Sequence, residues 1–319
     1  AQCKAIAFDK TGTLTTGKMT FKGLFALNEE DSIHESEALK IAVALEKNTI
    51  HPIGKSLNTY AQKMEIASAD IRDYKAVPGY GLQGEVNFLG TDVKVLIGNV
   101  DFIKPALKEE DQTKLEGLLL KKLKSGNMSA TLLIDDKAFV LSFQDEIRPG
   151  VIKTIHELKE TFKLKLVMIT GDHYFNAQRV AEEVGLDEYH ANLKPQDKLN
   201  IVSSLSQKYG LAMIGDGIND APALARANVG IGLGEIGANA ATQASDVILL
   251  HDNIEMLDWL IGKSRKTTRI VKQNLTLSLV ALIGASLFAL LGFLPLWLAV
   301  ILHEGGTVLV GLNGLRLLK

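Results

Sequence analysis

The residues best suited to chemistry are Asp9-Lys10-Thr11-Gly12-Thr13-Leu14-Thr15. They follow an apolar run, Ala5-Ile6-Ala7-Phe8, which reads as a short buried strand. An aspartate leaving such a strand lies on the carboxyl edge of a parallel sheet, where open α/β folds place their ligands. A carboxylate there can attack phosphorus and form an aspartyl-phosphate. Gly12 lets backbone N–H groups close on a phosphate, and the three threonines add hydroxyl donors. Two more groups of this kind, Thr170-Gly171-Asp172 and Gly215-Asp216-Gly217-Ile218-Asn219-Asp220, each follow another apolar run and are expected beside Asp9. Phosphoryl transfer needs an in-line nucleophile, a metal and neutralised charge. Asp9 and Asp216 are hard oxygen ligands suited to Mg²⁺. Thr170 and Asn219 can hydrogen-bond phosphoryl oxygens, and Lys198, after Lys194-Pro195, can offset negative charge.

These groups need a scaffold that brings distant segments together. From 150 to 227 the pattern alternates: helix 151–159, strand 165–169, helix 176–184, strand 189–191, helix 195–208, strand 211–214. Runs at 229–231 and 247–249 add two strands. That rhythm predicts an α/β fold, a doubly wound parallel sheet with helices on both faces. The segment between Thr20 and Gln144 reads differently. A strand and turn over 19–30, helices over 32–45 and 53–64, strands from 83 to 97, a charged helix over 104–123 and a hairpin around Asp135-Asp136 predict an inserted α+β domain. The expected division is a discontinuous first domain, 1–20 and 144–262, with 21–143 inserted. Pro78-Gly79-Tyr80-Gly81-Leu82-Gln83-Gly84 contains a GxGxxG string, but strands follow it instead of a helix. It therefore reads as a glycine-rich strand turn that admits a flat base or ribose, not as a dinucleotide fingerprint.

Residues 263–319 predict two membrane helices, at about 273–294 and 296–316, separated at Pro295. Lys263, Arg265, Lys266, Arg269 and Lys272 precede the first, and Arg316 and Lys319 follow the second, so both ends are expected in the cytoplasm. His303-Glu304-Gly305-Gly306-Thr307 interrupts the second apolar run. A helix loosened at the two glycines would offer an imidazole, a carboxylate and a hydroxyl to one ion, a mixed set that Zn²⁺ or Co²⁺ accepts. A formal net charge of −2 gives no case for nucleic acid, and the single cysteine, Cys3, excludes an intrachain disulfide. The chain opens directly on a strand, without a signal peptide, as though cut from something larger.

The heptapeptide at Asp9 resembles the phosphorylation motif of P-type ATPases, ion pumps of the haloacid-dehalogenase-like superfamily. The resemblance covers essentially the whole chain and implies its carboxy-terminal role in such a pump. It implies phosphorylation of Asp9, with Lys10, Thr11, Thr170, Gly171, Asp172, Lys198, Asp216, Asn219 and Asp220 completing the site. It implies Mg²⁺ held by Asp9, the Thr11 backbone carbonyl and Asp216. Superfamily phosphatases carry a second aspartate where this chain has Thr11, which implies slow hydrolysis of the phosphoenzyme. The insert resembles the nucleotide-binding domain of the heavy-metal (type IB) subclass, implying ATP contact by Glu46, His51, Gly79, Gly81 and Asn99; Thr49 stands where serine is common. The 303–307 pentapeptide resembles the last-helix motif of the cobalt/zinc-type subgroup, implying His303, Glu304 and Thr307 as ligands of the transported ion. That subgroup's Ser-Pro-Cys, the copper-type Cys-Pro-Cys and the Thr-Gly-Glu-Ser loop of the actuator domain do not occur in this sequence.

The expected function is ATP-driven export of zinc, cobalt or cadmium through an aspartyl-phosphate. The remaining membrane helices and the actuator domain of the pump are the expected partners. A bacterial plasma membrane is the expected location, with the soluble domains cytoplasmic. Alternatives are a membrane-anchored phosphatase of the superfamily, a copper-type pump, or a metal or nucleotide sensor without catalysis. Soft Cu⁺ prefers sulfur ligands, which His303-Glu304 does not provide.

Overall fold

The computed structural model describes residues 3–28, 33–88, 90–216, 220–234, 243–250, 253–292 and 295–318. Residues 3–253 form one compact unit and residues 254–319 another.

The first unit is built on two six-stranded sheets. The parallel sheet uses β1 (Ala5–Phe8), and after an insertion β8 (Lys165–Ile169), β9 (Glu188–His190), β10 (Leu211–Gly215), β11 (Val229–Leu233) and β12 (Val247–Leu249). Their order is β12-β11-β10-β1-β8-β9, all parallel. β1, β8 and β10 are continuous apolar runs because both faces of a parallel sheet are covered. Helices α5 (Val151–Glu160), α6 (Tyr174–Val184), α7 (Pro195–Tyr209) and α8 (Ala221–Arg226) form the crossovers. The chain leaves β1 towards β8 on one side and returns to β10 on the other. β1 is thus the topological switch point, where the carboxyl edge opens a crevice.

The insert is an antiparallel sheet of order β2-β7-β6-β5-β4-β3. Its strands are β2 (Thr15–Ala26), β3 (Ile71–Val77), β4 (Gly81–Phe88), β5 (Thr91–Gly98), β6 (Met128–Ile134) and β7 (Lys137–Ile147). Alternation along β5 and β6 divides the core in two. Val95, Ile97, Leu132 and Ile134 pack beneath α1 (Glu35–Glu46) and α2 (Pro52–Lys63). Leu96 and Leu133 face the other way, onto α3 (Val100–Ile103) and α4 (Glu109–Lys124).

In the first unit one boundary and two whole elements stand out against the sequence reading. β2 begins at Thr15, not near residue 19, so the ribbon carrying the insert springs directly from the Asp9 loop. β3 was not expected: its middle residues are exposed, so it lacks the apolar period that marks a strand. α8 was likewise not expected, being too short for a helical period to register.

In the second unit a helix runs unbroken from Met256 to Leu290, beginning well before the expected span. Its charged first part is helical too, because Lys and Arg propagate a helix nearly as well as Leu. Among the described residues this is the one helix long and apolar enough to cross a membrane. A second apolar helix, Leu296–Gly314, folds back beside it. Lys263 donates to the Leu317 carbonyl at 3.0 Å, Asn313 to Asn274 at 2.7 Å and Arg316 to Gln273 at 3.4 Å. The hairpin therefore gathers its basic residues at one end.

Candidate active site

Asp9 follows β1 on the carboxyl edge, its N–H donating to the Ile214 carbonyl at 2.9 Å. Thr170 leaves β8 and Asp216 leaves β10, the two neighbours of β1. The three motifs therefore meet around one cavity of about 260 Å³. Asp9, Thr11, Thr170, Gly171, Asp172, Lys198, Asp216 and Asp220 all line it. Asn219 lies outside the described residues.

Lys198, on the first turn of α7, is the positive centre of this cavity. Its Nζ stands 2.6 Å from Asp9 Oδ1 and 2.5 Å from Asp220 Oδ1. Burial alone would lower the Lys198 ammonium, but Asp9 and Asp220 outweigh it and hold it above the usual lysine range. Burial, reinforced by Asp220 and Asp216, pushes the Asp9 carboxyl up to about 7 against the pull of Lys198. Burial is the main cause of the Asp9 shift, and the carboxylates that raise it further are the ones that hold Lys198 charged. Such a pocket favours a further cation. Gly12 shapes the same corner, with φ +75° and an absent Cβ that would stand 2.9 Å from Asp216 Oδ2. Any side chain there would displace that carboxylate.

Lys10 does not line the cavity and is buried behind it, against Asp172 of its wall. Its Nζ lies 2.6 Å from Asp172 and 3.2 Å from Asp145. Thr170 Oγ1 accepts from the Asp172 N–H at 3.1 Å, which fixes that turn. The expectation of three threonine donors needs correction. Only Thr11 lines the cavity, whereas Thr13 and Thr15 are fully buried beneath it. Alternation around the Gly12 turn sends their side chains inward, and Thr15 Oγ1 is occupied by Asp145 at 2.6 Å. Asp145 and Arg148 were missed by sequence reasoning. Both lie where β7 leaves the insert, and both hold the Asp9 loop.

The second cavity, about 440 Å³, lies in the insert and is lined by Glu46, His51, Gly79, Gly81 and Asn99, all five expected residues. His51 caps α2, its Nδ1 accepting from the Ile53 N–H at 3.3 Å, which leaves Nε2 outward. Asn99 is engaged in building the turn: it donates to the Gly79 carbonyl at 3.0 Å and caps α3 through Phe102 N. Gly79 has φ +80° with open space where a Cβ would stand. Gly81 and Gly98 face each other across β4 and β5, and a Cβ on Gly81 would overlap the Ile97 carbonyl. Gly81→Ala is expected to lower stability by about 1–3 kcal/mol. Thermal unfolding would check it.

Glu46, at the end of α1, is the acidic residue of this cavity. It is buried, and its Oε2 has no hydrogen-bond partner. Gly54 passes so close that a Cβ would overlap Glu46 Oε2 and Thr49, a constraint invisible in the sequence. Burial pushes Glu46 up to about 7, with Thr49 pulling the other way. A carboxyl raised on folding gives stability present below its unfolded value, near 4.5, and lost as pH rises through about 7. Glu46→Gln should therefore leave stability unchanged at pH 4 and raise it at pH 8, by on the order of 2–3 kcal/mol. Thermal unfolding of the detergent-solubilised chain at the two pH values reads the difference.

In the second unit, Glu304 and Thr307 lie exposed on the helix Leu296–Gly314, while the His303 side chain lies outside the described residues. The expected loosening at Gly305-Gly306 does not occur: the helix is continuous there. Gly306 instead faces the long helix, its absent Cβ 3.9 Å from that of Ala281. A small residue at a helix contact serves close packing, and the flanking backbone ladder holds the glycines helical. Among the described residues no group of three or more His, Cys, Asp or Glu side chains converges on a metal position.

The family model for haloacid dehalogenase-like hydrolases matches residues 3–228. The chain belongs to that family. Within it, the chain is 41% identical, over 99% of its own length, to a probable chloroplastic cadmium/zinc-transporting ATPase of Arabidopsis thaliana. It is 37% identical over 98% of its length to the zinc/cadmium/lead-transporting P-type ATPase of Escherichia coli K12. In each case it covers 41% of the relative. The chain thus spans less than half the length of these curated relatives. The crystal structure of a zinc-transporting PIB-type ATPase in the E2.Pi state matches the whole chain with a TM-score of 0.87 at 34% identity. The chain covers half of that structure. This haloacid dehalogenase-like hydrolase therefore shares its fold with half of a zinc-transporting PIB-type ATPase.

Proposed function

We propose that this chain is the catalytic and last-helices portion of a pump that exports a divalent transition metal of the zinc, cadmium and cobalt class, driven by ATP. The observation that carries the reading is Asp9 itself. It is a buried carboxylate on the central strand, 2.6 Å from Lys198, followed two positions later by Thr11 and not by a second carboxylate.

ATP occupies the cleft of the insert, with its base over the Gly79–Gly81 turn and against His51. An Asp9 carboxylate oxygen attacks the γ-phosphorus in line, the bond from that phosphorus to the bridging oxygen breaks, and ADP leaves. Lys198 balances charge as the phosphoryl oxygens arrive, and Thr170 donates to them. The excess of carboxylate around Asp9 fits Mg²⁺, which Asp9, the Thr11 carbonyl and Asp216 would hold. When bound, Mg²⁺ neutralises charge on the transferring group. With no carboxylate at Thr11 to activate water, the acyl phosphate persists until another domain completes its hydrolysis. Persistence of that intermediate distinguishes a pump from a simple phosphatase.

The apolar parts of the hairpin, about 273–294 and 296–316, span the membrane with the basic end in the cytoplasm. The 303, 304 and 307 positions offer nitrogen and oxygen donors to the transported ion, which favours borderline divalent cations over Cu⁺. The test is acid-stable phosphoenzyme from labelled ATP, in membranes holding this chain with the rest of its pump. Label that appears with Zn²⁺, Cd²⁺ or Co²⁺ and not with Cu⁺ supports the reading. Label with Cu⁺ alone overturns the cargo, and rapid turnover of a phosphomonoester without label overturns the pump.

A further inference from the structure

The loop that carries Asp9 has no regular structure to hold it. Thr11 is extended and Gly12 is left-handed, with φ +75°. Carbonyls in such a turn have no ladder partner and must be satisfied from elsewhere. Those of Gly12, Thr13 and Leu14 are satisfied from one short stretch at the exit of β7. The Arg148 side chain donates from Nε to the Thr13 carbonyl at 3.1 Å and from Nη2 to the Gly12 carbonyl at 2.5 Å. Its backbone N–H donates to the Leu14 carbonyl at 2.9 Å. Three residues earlier, Asp145 is 3% exposed and accepts from Lys10 Nζ at 3.2 Å, Thr15 Oγ1 at 2.6 Å and Gly17 N at 3.1 Å.

Neither residue lines the cavity at Asp9. Their chemistry nevertheless suits the loop closely. Arg148 presents a planar fork whose two N–H directions match successive carbonyls, which a lysine would not reproduce. Asp145 shares the buried Lys10 ammonium with Asp172 and, of the two, is the fully buried carboxylate. Asp145 stands on β7 and Arg148 directly follows it; Leu141 of that strand pairs with Ala130 of β6, a residue lining the second cavity. The strand that pairs with the wall of the second cavity thus leads directly to the backbone of the nucleophile loop.

We infer that Asp145 and Arg148 are positioning residues for phosphoryl transfer, fixing the Lys10–Gly17 loop from the exit strand of the insert so that Asp9 faces the phosphorus. The inference rests on the reading of Asp9 as phosphoryl acceptor.

Two measurements test it, on wild type, Arg148→Ala, Arg148→Lys and Asp145→Asn. Amide hydrogen exchange on the full 319-residue chain reads the loop without reference to activity. Phosphorylation from ATP in the assembled pump reads the consequence. In Arg148→Ala, loop amides at 11–17 exchange at least about tenfold faster while the core strands keep their protection. Phosphorylation at saturating ATP slows about 10²-fold, with ATP affinity within about twofold of wild type. Arg148→Lys recovers only part of the rate, since one donor replaces two. Asp145→Asn keeps an acceptor but removes one of the two counter-charges of Lys10, leaving Asp172, and weakens the bonds to Thr15 and Gly17; it also releases the loop and slows phosphorylation.

Wild-type loop exchange in Arg148→Ala, or a wild-type phosphorylation rate, overturns the inference. If Arg148→Ala fails to fold, Asp145→Asn decides: wild-type exchange and rate in that variant overturn it. A loss of ATP affinity equal to the loss of rate also overturns it, because a positioning residue acts after binding. Loop release in the variants of a wild-type pump that forms no phosphoenzyme would remove the Asp9 reading and leave the loop contacts standing.

Discussion

A pump carrying Asp9→Asn will bind ATP normally and form no acid-stable phosphoenzyme, its phosphorylation rate falling by about 10⁵-fold or more. The amide is nearly isosteric with the carboxylate, so the cavity keeps its shape. It is far less nucleophilic and forms no stable acyl phosphate. Lys198 retains Asp220 at 2.5 Å, so no buried ammonium is orphaned. The variant should gain stability. Burial and the Asp220 and Asp216 charges push Asp9 up to about 7, so without divalent cations its folded-state stability is complete below its ordinary 3.8 and lost as pH rises through about 7. Asparagine carries no charge to bury, and the thermal midpoint at pH 8 should rise. Loss of phosphorylation together with a raised midpoint separates a missing nucleophile from a misfolded chain. Phosphoenzyme in Asp9→Asn would remove the assignment.

Lys198→Met should be the second most damaging change. It leaves Asp9, Asp216 and Asp220 around one cavity without the ammonium that now bridges Asp9 and Asp220. Lys198 is a cause that lowers the Asp9 carboxyl, so its removal sends that carboxyl higher still. The nucleophile is then less ionised at neutral pH, and the arriving phosphoryl oxygens meet uncompensated negative charge. Phosphorylation at saturating ATP should fall by about 10³-fold. Breaking one side of a buried charge cluster also costs stability, about 3–5 kcal/mol. Raising Mg²⁺ should recover part of the rate, because a second cation substitutes for some of the lost charge. A Lys198→Met pump that phosphorylates within about threefold of wild type would show that the ammonium is structural.

The centre of the site was legible in the sequence for a physical reason. β1, β8 and β10 are buried on both faces, so each reads as an apolar run, and each ends in residues no core would tolerate. Right-handed crossovers then leave little freedom in how such strands assemble, and the motifs fall on one edge. Residues that act across the fold were not legible. Asp145 sits between Gln144 and Glu146 and looks like part of a solvated acidic exit. Only the antiparallel register of β7 against β2 brings it to Lys10 and Thr15. Arg148 precedes a proline in what reads as a linker, and its partners are backbone carbonyls, which no sequence pattern marks. Gly54 looked like one more helix residue until Glu46 and Thr49 were found against it. β3 escaped because its outward residues carry no period. The early start of the long helix escaped because its basic residues mask a helical segment as a charged flank.

The central claim is that Asp9 takes the γ-phosphoryl of ATP. It is tested most directly by trapping the label where it sits. Wild-type pump would be phosphorylated with ATP and its transported metal, quenched in acid and reduced with tritiated borohydride. That treatment converts an acyl phosphate, but not a free carboxylate, into the alcohol. The account predicts tritiated homoserine at position 9 and at no other aspartate, with none formed when ATP is omitted. Tritium at another carboxylate, or a phosphoryl label that survives on serine, threonine or histidine while position 9 stays aspartate, would contradict it.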